Sequence, residues 1–128
     1  VNIEPRTAHI NILVTKSREV PEPSWCAGHD DDRAQFLTDI THNGPEITCR
    51  VDTRRGTADF LTAWISQSPY LPEPEVLPVL AIEIDGDTLN CGPDDVRTFT
   101  NLIRAHCDVL DGLAIELERV RAEAGEGR

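Results

Sequence analysis

With 128 residues and 39% hydrophobic side chains, the chain has the size of one domain and can bury a single core without disulfides. A net charge of -11 disfavours duplex DNA, RNA and anionic membranes as direct partners, because phosphate binding relies on Lys and Arg displacing counterions. A basic surface on another protein stays compatible with that charge. No apolar run approaches the ~18 residues that span a bilayer, and no basic stretch followed by an apolar one opens the chain, so a cytoplasmic protein is expected. Cys26, Cys49, Cys91 and Cys107 sit in unrelated contexts, without the density of a secreted disulfide scaffold, and read as reduced thiols.

In chain order, "TAHINILVT" (7–15) alternates Ala8, Ile10, Ile12 and Val14 with His9, Asn11 and Leu13, the period of a half-buried strand. Pro21 and Pro23 then predict an irregular loop that delivers Trp25 and Cys26. "AQFLTDITH" (34–42) and "EITCRVDT" (46–53) read as strands of a hairpin turning at Asn43-Gly44, with His42 at its tip and Cys49 pointing into a core beside Ile47 and Val51. "ADFLTAWIS" (58–66) fits a strand or a short helix, and its β-branched and aromatic residues favour the strand. The four prolines of "SPYLPEPEVLP" (68–78) predict an extended crossing. "VLAIEIDGDTLNCG" (79–92) reads as a β-hairpin turning at Asp85-Gly86.

From Pro93 the period changes. Val96, Phe99, Ile103, His106, Leu110, Leu113, Leu117 and Val120 recur in steps of three and four, the stripe of an amphipathic helix. Pro93 suits the first helical position, and Asp94 and Asp95 suit the positive end of the helix dipole. The expected architecture is α+β: a single domain over 1–122, in which an antiparallel sheet of about five strands is covered on one face by the C-terminal helix through Val96, Phe99, Ile103, Leu110 and Leu113. A disordered tail is expected over 123–128.

The chemistry-bearing stretch is "EPSWCAGHDDDRAQFLTDITHNG" (22–44), which spaces Cys26-x2-His29-x12-His42. Thiolate and imidazole are zinc ligands, a Cys-x2-His pair can close on one ion from a tight turn, and Gly28 lets the backbone curl between them. The fourth position is open to Glu22, to one of Asp30, Asp31 and Asp32, or to water. A carboxylate would close the site, whereas water would leave it of catalytic type. The bland alternative is a small buried Cys26 with two solvated loop histidines.

"EPSWCAGHDD", "THNGPE" and the helix after "LNCGPDDV" together resemble a family of small uncharacterised proteins of actinobacteria, their phages and plasmids, classed as a domain of unknown function. The signature that carries the resemblance is Trp25-Cys26, His29 and His42-x-Gly44. It implies a fold and a ligand set but no reaction. Where that family pattern has a further Cys shortly before the Trp, this chain has Glu22 and its neighbours, which leaves the fourth ligand absent or moves it to a carboxylate.

Other features have plainer explanations. His106 lies on the helix stripe and suits a core or interface, His9 is on the polar side of its strand, and Asp85 and Asp87 belong to turn chemistry. No nucleophile elbow, phosphate loop or dinucleotide fingerprint occurs. The sequence therefore points to a small acidic non-enzymatic interaction or regulatory module with a structural zinc site. Two alternatives stand beside it: a metal-dependent hydrolase using Cys26, His29 and His42 with an Asp of 30–32 as base, and an acidic mimic of nucleic acid. A protein partner or a second copy is expected on Leu113, Leu117 and Val120, rimmed by Glu116, Glu118, Arg119 and Arg121.

Overall fold

The computed structural model describes residues 4–11, 17–29, 35–73 and 76–126. The fold is α+β, with antiparallel strands followed by one long C-terminal helix. Two compact units divide the chain, one of residues 1–92 holding the strands and one of residues 93–128 holding the helix.

The first sheet is a hairpin of β1 (Arg6–Asn11) and β2 (Ser17–Glu22), in register from Arg6 opposite Glu22 to Asn11 opposite Ser17. β2 corrects the expectation of an irregular loop, since Pro21 is a strand residue opposite Thr7. Both strands of a two-stranded sheet are edges, and a proline whose nitrogen points out of the ladder sacrifices no bond there. Ile10 and Val20 from this hairpin are buried with Ile40, which follows a 3-10 turn at Leu37–Asp39, and Ala8, Leu37 and Tyr70 pack around them.

The second sheet contains β3 (His42–Asn43), β4 (Ile47–Thr53), β5 (Gly56–Gln67), β6 (Val79–Ile84) and β7 (Asp87–Cys91). Its axis is β5. Ser66 pairs with both Asn43 and Val79, and Ala63 with both Ile47 and Ile82, so β3 and β4 share the edge of β5 opposite β6. The predicted hairpin at Asn43-Gly44 is therefore not formed. Instead β3 and β4 are two pieces of one strand running the same way along β5, interrupted at Pro45, which has no N–H to give a ladder. The reversal comes later, at Arg54-Arg55, where Thr53 Oγ1 donates to the Gly56 carbonyl at 2.6 Å.

A second irregularity separates Ile47 from Cys49, where Leu61 and Thr62 on β5 stand against Thr48 alone. This two-against-one arrangement is a β-bulge, and Leu61 takes a positive φ of 53° within it. The extra residue belongs to β5, so Ile47, Cys49 and Val51 keep their alternation on β4, and all three are exposed because nothing among the described residues covers them, which corrects the expectation that Cys49 points into a core. Residues 58–66 are strand, as their β-branched content suggested. The hairpin at Asp85-Gly86 forms as expected, with both turn residues at positive φ, and it buries Ala81, Ile82 and Cys91.

Helix α1 (Pro93–Glu126) starts where Pro93 and its two aspartates predict, and Arg97 Nη1 meets Asp94 Oδ1 at 2.7 Å. It continues past Ala122 to Glu126, so the residues assigned to the start of a tail are helical. That extension carries Ala122, Glu123 and Ala124, which are good helix formers. Val96, Phe99 and Ile103 are half-buried, Leu110 and Leu113 are exposed, and no residue of α1 is fully buried.

Candidate metal site

Arg6 and Glu22 face each other at the open end of the small hairpin, with Arg6 Nη2 3.1 Å from Glu22 Oε2. The same guanidinium donates to the carbonyls of Ser24 at 2.9 Å and Cys26 at 3.1 Å. One cation thus pins the exit of β2 and the turn behind it, a role with no signal in the sequence. The turn closes through the Cys26 N–H bond to the Pro23 carbonyl at 3.1 Å.

Beyond Cys26, Gly28 adopts a φ of 104°, the left-handed conformation that curls the chain so that its own N–H reaches Cys26 Sγ at 3.4 Å. This is the role expected of that glycine. Ala27 N–H donates to the Asn43 carbonyl at 2.8 Å and fastens the loop to β3. The side-chain oxygen of Asn43 accepts from Trp64 Nε1 at 3.1 Å and Ser66 Oγ at 2.9 Å, so β3 is held to β5 by its side chain as well. Gly44 serves close approach. A Cβ there would lie 3.2 Å from the Trp25 carbonyl oxygen, while Gly44 N–H donates to Ile65 O at 2.8 Å.

These contacts bring the three candidate ligands together. His29 Nε2 is 3.7 Å from Cys26 Sγ and 3.1 Å from His42 Nδ1, and one donor atom from each of the three residues lies within 4.8 Å of the others. The imidazoles meet edge to face at a centroid separation of 5.2 Å. His42 is 1% exposed and Cys26 4%, while His29 is half-buried. His42 reaches the site from inside β3, opposite Gln67, and not from a hairpin tip. Among the described residues, this cluster can hold a metal ion.

Glu22, the predicted fourth ligand, borders the cluster but is not among the residues whose donor atoms lie within 4.8 Å of one another. Its Oε1 is buried without a hydrogen-bond partner among the described residues, so the Cys26 thiol beside it completes no bond to that oxygen. Burial pushes the Glu22 carboxyl up, but the neighbouring Cys26 and Arg6 groups and the charge of His29 outweigh it and hold the carboxyl below its ordinary 4.5. Cys26 moves the other way. Burial and Glu22 raise the thiol above 9.0 against the opposing pull of the Gly28 N–H. His42 is lowered from 6.5 by burial and by the charge of His29, with Glu22 opposing. Asp30, Asp31 and Asp32 lie outside the described residues.

The profile of a protein family described as a domain of unknown function (DUF6907) matches residues 7–119. The chain belongs to this family. The DUF6907 match spans Glu22, Cys26, His29 and His42 and ends within α1 at Arg119, while Arg6 lies one position before it. No curated protein and no solved structure matches the chain. No described helix is long and apolar enough to cross a membrane.

Proposed function

We propose that the chain is a non-enzymatic interaction module whose two sheets are locked together by one zinc ion on Cys26 Sγ, His29 Nε2, His42 Nδ1 and Glu22. The observation that carries this reading is the spacing of the donor atoms. Zn–S and Zn–N bonds of about 2.3 and 2.05 Å in a tetrahedron put sulfur about 3.6 Å from nitrogen and the two nitrogens about 3.3 Å apart. The corresponding separations in the protein are 3.7 and 3.1 Å. Both contacts also fall within hydrogen-bond range, and an ion would add to them the free energy needed to enclose two imidazoles and a thiol.

The donor set fits the ion. Thiolate and imidazole suit zinc, and the unpartnered buried Oε1 of Glu22 is the oxygen available to complete four ligands. Glu22 ends the small sheet, Cys26 and His29 lie in the loop, and His42 lies in the large sheet, so a common ion would tie the two sheets together. Depth supports a structural over a catalytic role, since Cys26 and His42 are enclosed by protein and a thiolate ligand weakens zinc as a Lewis acid. The module would then offer the exposed stripe of α1 to a protein partner.

Elemental analysis of the purified chain tests the ion, and a cobalt-substituted sample tests the ligands. One zinc per chain is expected, with a tetrahedral cobalt spectrum that shifts in Glu22→Gln. No bound metal would overturn the site. A spectrum unchanged by Glu22→Gln, with an exchangeable water on the ion, would replace the structural reading with a hydrolytic one.

A further inference from the structure

The stripe of α1 keeps a stricter period than an ordinary amphipathic helix needs. Val96, Ile103, Leu110 and Leu117 are seven apart, and Phe99, His106, Leu113 and Val120 follow each of them by three. These are the a and d positions of four consecutive heptads, the length over which a coiled-coil seam becomes a specific signal. The second half of the seam is uncovered: Leu110, Leu113, Leu117 and Val120 are 52%, 58%, 55% and 45% exposed. Outward b, c and f positions carry Arg104, Asp108, Asp111, Glu118 and Arg119, with Ile115 as the large apolar exception.

We infer that α1 pairs with α1 of a second copy as a parallel, in-register two-stranded coiled coil. The flanking positions select both the partner and the direction. In a parallel pair each g residue meets the e residue five places on in the other chain. Here that sets Glu116 against Arg121, Val109 against Ala114 and Leu102 against Cys107, so that charge meets opposite charge and apolar meets apolar. In an antiparallel pair g faces g, and Glu116 would meet either its own kind or the apolar Val109 and Leu102. Asp95 against Thr100 is the one neutral flank, and only the parallel arrangement gives Glu116 an opposite charge across the seam. Glu116 already holds Arg119 of its own helix at 2.5 Å, and Arg121 of the second copy joins that carboxylate as a second cation. His106 is the polar residue of the seam and meets its own copy only when the register is zero, so it fixes alignment as single polar seam residues do.

This deepens the interaction reading of the helix and does not depend on the ion: a monomer that binds zinc would defeat the pairing alone, and a dimer that binds none would defeat the site alone. The test is sedimentation equilibrium of the full chain with Leu117→Glu, Glu116→Arg and the double variant Glu116→Arg/Arg121→Glu, each checked for helicity by circular dichroism. Wild type should be a dimer at about 10 µM, and Leu117→Glu, which removes one seam leucine from each chain, should raise the dissociation constant about a hundredfold or more. Glu116→Arg should weaken the dimer and the double variant should restore it to about wild-type strength, because the reversed charges again meet across the seam. A wild-type monomer, or a trimer or tetramer, would overturn the proposal, and so would a double variant no stronger than Glu116→Arg. Should Leu117→Glu fail to fold, the wild-type melting temperature decides the matter by rising with protein concentration for a dimer and staying constant for a monomer.

Discussion

The Cys26–His29–His42 cluster and helix α1 are opposite solutions to placing functional side chains. At the cluster, two candidate ligands are almost fully enclosed, a carboxylate oxygen is buried without a partner among the described residues, and three pKa values are shifted from their ordinary values. Along α1 no residue is fully buried, and the shifted groups Glu116 and Arg119 owe their shifts first to each other. Enclosed polar groups require an internal partner, and the donor geometry supports an ion as that partner. An exposed apolar stripe is open to an external one. On the proposed reading, the same chain carries one site completed from within and one surface completed from outside.

The largest expected effect separates the two regions. If the ion joins the sheets, its binding energy, on the order of 10 kcal/mol in small zinc domains, is part of the folding energy. Chelation of the wild type, or Cys26→Ala, should lower the melting temperature by roughly 10 °C or more. Limited proteolysis should then cut within residues 21–42 while α1 keeps its helical signal. Equal melting with and without chelator would erase the distinction.

A finer contrast lies within the cluster. In the zinc-loaded protein, His42→Ala and His29→Ala should be similarly damaging, since each removes one ligand. In the chelated protein His42→Ala should remain the worse by about 1–3 kcal/mol, because it alone empties an enclosed site on a strand. Urea unfolding of both variants with and without metal measures the difference. Equal losses in the chelated state would mean that His42 is held by the ion alone.

Acid and base should sharpen the comparison next. The folded pKa of His42 is depressed, so as pH falls below 6.5 the unfolded chain takes up a proton that the folded one refuses, and stability declines. Glu22, also depressed, adds a further loss below 4.5. Cys26 is raised, so its contribution is complete below 9.0 and is lost as pH climbs past that value. The metal-free protein should thus be most stable between about 6.5 and 9.0, and His42→Ala should flatten the limb between 6.5 and 4.5. Helix content of α1 should not follow this profile. A flat stability curve across pH 5–7 would contradict the enclosed histidine.

Gly44→Ala should cost about 1–2 kcal/mol, because the new methyl meets the Trp25 carbonyl at 3.2 Å and pushes the loop off β3. Cobalt spectra of this variant would show whether the loop's seat sets the ligand field. The smallest change expected is Asp59→Asn, which removes the exposed ion pair with Arg50 and should leave melting unaltered at physiological salt.

Much of this was legible in the sequence, for reasons that differ by residue. Asp85-Gly86 and the stripe from Val96 were readable because turn chemistry and helical period are local properties of the chain. Cys26, His29 and His42 were readable as chemistry, since few other uses bring those residue types together at that spacing. Their backbone setting was not. Asn43-Gly44 carries a turn signal, yet Asn43 spends its side chain on Trp64 and Ser66 and Gly44 is needed for proximity to Trp25, both of which are long-range facts. Arg54-Arg55 carries little turn signal and makes the reversal. Arg6 gave no warning at all, because its three partners lie 16 to 20 positions away and become neighbours only through the pairing of β1 with β2.

The interruption at Pro45 has one more consequence. The edge of a β-sheet is a template on which a foreign strand can lengthen the ladder, and this sheet shows exposed Ile47, Val51 and Phe60 near that edge. A newcomer would find only the two residues of β3, then a proline with no hydrogen to offer, before it reached β4. Along this edge of an acidic chain, a break in the ladder hinders a foreign strand from adding beside exposed apolar residues.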